Sequence, residues 1–256
     1  MNDSPILLAL ETSGRSGSVA ILQVIDREIL CESEILATDS GSAKTLAPAI
    51  DRLFARLCLE PKELSAIALI VGPGSFTGLR VGVATAKAMA YALKIPAIEI
   101  DALDAIALQI ASGGEVVHVI LDAYRGQVFH ACYSKLASSC DDYQKISETE
   151  IVDINQLLSR FSSSTPGSQA TVLCGPGCGR LQKFLADPES DFLSSPLVFE
   201  RFRWLDGPET FPRAESVARL AFTKFIAGET VDAFHILPRY YRASAAEEMS
   251  TSKKLG

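Results

Sequence analysis

Apolar residues follow two alternating rhythms along this chain. Residues 6–10 (ILLAL) form a short unbroken apolar run, as in a strand buried on both faces. Residues 18–24 and 28–36 read as two further strands joined tightly at Asp26-Arg27, so the chain opens on an antiparallel meander. From Leu46 the period lengthens. Leu46, Ile50, Leu53 and Leu57 recur at helical spacing, with Pro48 expected in the first turn or at a kink. Residues 66–71 return as a buried strand, followed by a glycine-rich loop at 72–78, a long helix over 76–93 and a strand at 97–100 after Pro96.

The order β-β-β-α-β-α-β predicts an α/β protein with a mixed sheet and packed helices, the arrangement of ribonuclease-H-like and actin-like folds. The second half is less regular. Residues 101–111 read as a helix, and 116–121 and 127–133 as strands on either side of the turn 122–126. The polar stretch 134–147 and the Ser/Pro/Gly stretch 162–169 are expected to be flexible surface segments. A short strand at 171–174, a helix at 179–186 and a well-patterned helix at 214–226 complete the reading, with Val217, Leu220, Ala221 and Phe225 on one face of the last. Residues 247–256 look like a loose charged tail, and no internal repeat stands out.

Composition narrows the function classes. With 256 residues, 48% hydrophobic and 21% charged, the chain is long and apolar enough to fold around a sizeable core, and disorder is excluded as its dominant state. No apolar run approaches the ~18 residues of a membrane span, and the first residues lack the features of a signal peptide. A cytoplasmic protein is therefore expected, its six Cys reduced and packed as small hydrophobes. A net charge of −7 argues against autonomous, non-specific nucleic-acid binding, which depends on neutralising phosphates.

The candidate chemistry is sparse. Gly72-Pro-Gly-Ser-Phe-Thr-Gly78 sits between a strand and a helix, where a phosphate would meet free amides. Yet Leu79-Arg80 follows where a P-loop needs Lys and Ser/Thr, and the glycine spacing misses the dinucleotide fingerprint. A tight turn with Ser75 as helix cap fits better. His118, His130 and His235 are never three or four residues apart, so no helical zinc pair exists. Cys174-Gly-Pro-Gly-Cys178 has the wrong spacing for zinc or redox work. Glu11 and Asp122 lie near strand ends, as turn or capping residues or, given a partner, metal ligands.

The helix at 76–93 is apolar almost all round. Leu79, Val83, Ala86, Ala90 and Leu93 form one stripe, and Gly78, Gly82, Thr85, Met89 and Ala92 a second, leaving Arg80, Ala84, Lys87 and Tyr91 for water. Such a helix must be covered on two sides. Its small residues Gly78, Gly82, Ala86 and Ala90 invite close approach of another helix, and Leu46, Ile50, Leu53 and Leu57 offer a neighbour. Packing within the chain and a subunit interface both remain open.

Four segments carry a family resemblance: Leu10-Glu11-Thr12-Ser13 leading into Ser18-Val19-Ala20; Gly72 to Gly82; Asp122-Ala-Tyr-Arg-Gly-Gln-Val-Phe129; and Pro238-Arg-Tyr-Tyr-Arg242. In this order they resemble the bacterial TsaB (YeaZ) family of tRNA threonylcarbamoyladenosine biosynthesis proteins. The resemblance implies an actin-like fold of two lobes, the second abbreviated: residues 1–102, completed by the helix at 214–227, then 103–211, with a tail at 243–256. It implies a cytoplasmic, non-catalytic scaffold or activator without cofactor or metal. Members pair with the catalytic paralogue TsaD through helices of the first lobe, are joined by the ATPase TsaE, and form homodimers through a similar surface. TsaD modifies the adenosine 3′ of the anticodon, so contact with tRNA is expected only indirectly.

On this reading the partner-binding residues are Leu46, Ile50, Leu53, Leu57, Gly78, Gly82, Val83 and Ala86. Two positions depart from the family pattern: Ser42 stands where His is frequent, and Glu11 where Asp is usual, as in the TsaD sister family. The alternative is an actin-like ATPase or carbamoyl-type transferase acting through Glu11-Thr12-Ser13. Peptidase activity has little support without a His pair.

Overall fold

The structure, a computed structural model, describes residues 4–14, 16–37, 42–110, 114–135, 143–163, 170–187 and 202–241. The chain divides into two compact units: residues 1–105 with 212–256, and residues 106–211. The expected tail at 243–256 lies outside the described residues, as do residues 164–169 of the expected Ser/Pro/Gly loop.

The first unit is built on strands β1 (Ile6–Glu11), β2 (Ser18–Ile25), β3 (Glu28–Ile35), β4 (Ala66–Gly72) and β5 (Ala97–Asp101), arranged β3-β2-β1-β4-β5. The meander β1-β2-β3 is antiparallel, whereas β4 and β5 run parallel to β1. β1 and β4 are the unbroken apolar runs of the sequence, and central strands covered on both faces require such runs. One face carries Leu8, Leu10, Val19, Ile21, Ile67 and Leu69 into a core closed by α1 (Ser42–Leu57) and α2 (Phe76–Leu93). The alternate residues Leu7, Ala9, Ala20, Leu22 and Ile70 are equally buried and face α6 (Ala214–Ile226), which packs across β1 and β2. The first N–H of α6 donates to Ser18 Oγ at 2.9 Å. After β5 comes α3 (Ala102–Ile110), whose start Asp101 caps through Leu103 N.

The second unit repeats this topology on a smaller scale. Strands β6 (Val116–Asp122), β7 (Gln127–Lys135) and β8 (Tyr143–Asp153) form the antiparallel meander, and β9 (Thr171–Cys174) and β10 (Phe202–Leu205) run parallel to β6, giving the order β10-β9-β6-β7-β8. Read from its meander edge, this sheet has the same strand order as the first, which the sequence does not announce as a repeat. Helices α4 (Ile154–Ser163) and α5 (Cys178–Leu185) cover a core of Ile120, Val128, Val152, Leu157, Phe161 and Leu181.

The structure corrects, adds to or narrows the sequence reading at three places. Residues 143–147 of the supposedly flexible polar stretch belong to β8, an edge strand whose solvent-facing half dilutes its hydrophobic signal. Helix α4 and strand β10 were not anticipated, both being short and flanked by polar sequence. Helix α1 starts at Ser42, so Pro48 lies inside it, beyond the first turn; its missing N–H leaves the carbonyl of Lys44 without the usual partner. Among the described residues no helix is long and apolar enough to cross a membrane.

Candidate functional site

The carboxyl-terminal ends of β1 and β4, where ligands bind in sheets of this kind, bring together two of the four family-like segments. Glu11 ends β1, fully buried. Its Oε1 accepts from Ser13 N at 2.7 Å, Ser13 Oγ at 2.6 Å and Gly14 N at 3.0 Å, which makes a closed turn on the carboxyl group. Its Oε2 is buried without a hydrogen-bond partner. Burial raises the Glu11 pKa to about 7, against the opposing pull of the three hydrogen bonds to Oε1.

The glycine loop packs directly onto this turn. Ser75 N donates to Ser13 O at 2.9 Å, and Thr12 Oγ1 donates to Gly78 O at 2.8 Å. Ser75 caps α2, its hydroxyl accepting from Gly78 N. A Cβ at Gly74 would lie 2.5 Å from Ser13 Cβ; one at Gly78 would overlap the Thr12 carbonyl oxygen, and one at Gly82 the Thr12 hydroxyl. The turn and the first two turns of α2 are therefore one interlocked body, and glycine is what lets them meet.

A third family-like segment crosses the same end. Arg239 N donates to Val71 O at 2.7 Å, and Tyr241 OH donates to Asp101 Oδ2 at 2.9 Å. The Tyr240 ring stacks on Phe76 with centroids 4.4 Å apart, and Arg80 Nε donates to the Tyr240 hydroxyl at 3.0 Å. Residues 239–241 thus form a strap over the end of β4 and the start of α2. Arg242, the last residue of that segment, lies outside the described residues.

The eight residues expected at a partner surface occupy a different place. Leu46, Ile50, Leu53, Gly78, Gly82, Val83 and Ala86 are buried within their own unit, and Leu57 is half-buried against the same core. These residues do not point outward: what approaches them is Thr12 of the β1–β2 turn, inside the unit, with its carbonyl at Gly78 and its side-chain hydroxyl at Gly82. What α2 exposes is Thr77, Arg80, Ala84, Ala88, Tyr91 and Ala92, and α1 exposes Ala43, Lys44, Ala47, Pro48, Asp51, Arg52, Ala55 and Arg56. The Ser42 side chain lies outside the described residues.

In the second unit, Asp122 ends β6 as Glu11 ends β1. Its Oδ1 accepts from Tyr124 N at 2.7 Å and lies 3.5 Å from Arg180 Nε, ion-pair distance without a hydrogen bond. Sequence reasoning missed a polar cluster in this sheet. The β6–β7 register sets His118 opposite Cys132 and Ile120 opposite His130, which brings the two rings to one face with His118 Nδ1 2.9 Å from His130 Nε2. His130 Nδ1 lies 3.4 Å from Glu150 Oε1, which accepts from Arg160 at 2.5 Å. The available signal was strand parity across a tight turn, not residue spacing along one helix. Among the described residues no group of three or more His, Cys, Asp or Glu is placed to hold a metal ion.

Residues 37–185 match the protein family described as TsaD: tRNA N6-adenosine threonylcarbamoyltransferase. The tRNA threonylcarbamoyladenosine biosynthesis protein TsaB of Bacillus subtilis is 32% identical over 127 residues, 50% of this chain and 54% of that protein. The chain thus spans about half the length of that relative. The TsaB protein of Escherichia coli is 25% identical over 246 residues, 94% of this chain and 96% of that protein. In fold, the chain is similar to the solved structure of YeaZ from Pseudomonas aeruginosa, with a TM-score of 0.68 and 23% identity over 92% of this chain and 99% of that one.

Proposed function

This chain belongs to the TsaD family, and we propose that it acts there as a TsaB/YeaZ-type accessory subunit in tRNA threonylcarbamoyladenosine synthesis, pairing with a catalytic TsaD chain and doing no chemistry itself. The observation that carries the proposal is the similarity to TsaB proteins, which in the Escherichia coli case runs over 94% of the chain. The interlocked turn supports the non-catalytic part. The amides and hydroxyls that would receive a phosphate at the end of β1 are spent on Glu11 and on the Gly78 carbonyl, and Gly74 is filled against Ser13. On this reading the protein works in the cytoplasm, TsaE joins the pair, a homodimer competes with it, and tRNA is met through TsaD.

The TsaD-facing surface is the outward side of α1 and α2. Leu46, Ile50, Leu53, Leu57, Gly78, Gly82, Val83 and Ala86 hold these helices on the sheet, and contact is made by exposed Ala47, Ala55, Thr77, Ala84 and Ala88. Small side chains there let a partner helix approach closely, and apolar burial supplies ~25 cal/mol per Å² before the cost of association. Ala88→Arg keeps helix propensity and exposure but adds bulk and charge. We expect it to leave the circular dichroism spectrum unchanged and to weaken co-elution with the same organism's TsaD at least tenfold, with a parallel loss in a modification assay. Undiminished binding by this variant moves the surface elsewhere.

A second reading, an ATPase or carbamoyl-type transferase acting through Glu11, Thr12 and Ser13, is favoured by one observation, the unpartnered Oε2 of Glu11. Calorimetric titration of the isolated chain with ATP and magnesium separates the two. Tight binding, with turnover lost in Glu11→Gln, would establish the enzyme.

A further inference from the structure

The proposed function makes no use of the most polar part of the second unit's core. His130 is buried and His118 half-buried, yet each ring meets a polar partner, and Phe161 of α4 sets its ring edge-on to both at 4.9 and 6.1 Å. With Glu150 charged and both imidazoles neutral, only one arrangement of protons satisfies the line. His130 Nδ1–H points at Glu150, His118 Nδ1–H donates to His130 Nε2, and His118 Nε2 is left as an acceptor 3.9 Å from Cys132 Sγ. One added proton fits, on His118 Nε2. A second has no place, because with both rings charged an N–H would face an N–H across 2.9 Å.

We propose that the His118–His130 pair is a proton-operated latch holding α4 on the second sheet, closed while the rings are neutral and released by acid. Among the described residues, the ionisable groups that reach the pair are Glu150 from β8, Arg160 from α4 and Cys132 from β7; β6, β9 and β10 bring apolar Ile120, Leu173 and Phe202 to the same core. Burial first, then the neighbouring His130, lowers the His118 pKa to about 3. Burial also lowers that of His130, with Arg160 adding to it and Glu150 opposing. For groups depressed on folding in this way, the closed form has its full stability above the ordinary imidazole pKa of about 6.5 and loses it as the pH falls.

Trp204, the single tryptophan of the chain, packs beside this core on β10 and reports on the second unit. We expect its fluorescence, measured on the full chain, to be flat from pH 8 to about 6.5 and then to step with a Hill slope near two. His130→Gln should bring the slope to about one, and the double variant His118→Gln, His130→Gln should remove the step. Because the double variant could fail on packing alone, proton NMR of the wild-type rings provides an independent measurement. The two rings should hold neutral shifts down to about pH 6.5 and move together with the fluorescence step. Independent titration of either ring above pH 6.5, or a step that survives in the folded double variant, overturns the latch.

Discussion

The two units share a strand order but differ in what they place at the same point of it. Glu11 and Asp122 each end the first strand of their sheet, and a Gly-Pro-Gly triplet follows the fourth strand in both, at 72–74 and 175–177. In the first unit the triplet closes on the β1–β2 turn, and the carboxyl is sealed beneath it with one oxygen unpartnered. In the second, Gly175 and Gly177 press instead on the backbone of Ile120 and Leu121, leaving Asp122 partly exposed beside Arg180. The first unit has closed the ligand end of its sheet, burying Glu11 and Asp101 there, and keeps the core under α1 and α2 apolar. The second has left that end open and carries its polar groups inside, under α4. The same topology therefore does not dictate where ionisable groups are tolerated; loop closure does.

Filling a glycine in each unit should separate the two most widely. At Gly78 a methyl group meets the Thr12 carbonyl and the backbone of an interlocked turn, which cannot yield cheaply, whereas at Gly179 in α5 a Cβ meets nothing within 4 Å. Gly78→Ala should cost roughly 3 kcal/mol or more, in the range of severe core defects. Gly179→Ala should be neutral or stabilise by up to about 1 kcal/mol through helix propensity. Thermal unfolding of both variants checks the contrast, and similar midpoints would mean that the turn is looser than its packing implies.

The next effect is opposite in sign between the units. Glu11 holds its proton in the folded state up to about pH 7, whereas the unfolded chain releases it near the usual 4.5. The native state thus binds more protons between these values. Its contribution is complete below about pH 4.5 and declines as the pH rises to about 7, by on the order of 3 kcal/mol for a shift of this size. The histidines of the second unit drive stability the other way over much of that interval. Amide hydrogen exchange should therefore show β1 better protected at pH 5 than at pH 7.5 after correction for intrinsic rates, and Glu11→Gln should flatten the dependence. A wild-type β1 whose protection rises with pH would refute the assignment of a buried, proton-holding Glu11.

How much of this was legible in the sequence follows from where each signal is stored. β1, β4 and the long helix were readable because strands buried on both faces and a helix covered on several sides need continuous apolar sequence. The Ser75 cap was readable because capping is local. The role of Gly78 and Gly82 was not, since their neighbour, Thr12, is 66 residues from Gly78 along the chain; small residues facing a turn look the same as small residues facing a partner helix. Nor was the His118–His130 pair, which exists only once the hairpin register is fixed. β8 hid because an edge strand needs an apolar pattern on one face only.

The smallest prediction concerns two tyrosines that occupy contrasting settings. Tyr240 is 42% exposed, but its ring is stacked flat on Phe76 and its hydroxyl holds Arg80, so it pins the strap to the start of α2. Tyr124 is 71% exposed at the tip of the Asp122 turn. Its backbone N–H, not its ring, makes the turn's bond to Asp122, and any residue keeps that N–H. Tyr240→Ala should lose one aromatic pair and one hydrogen bond to a charged donor, about 1–2 kcal/mol together. Tyr124→Ala, at a positive-φ position with little to lose, should stay within about 0.5 kcal/mol. Chemical denaturation resolves such a difference when the two variants are measured side by side. Equal losses would mean that the strap lies on the first unit without holding it, and that the β1–β2 turn alone keeps that end of the sheet closed.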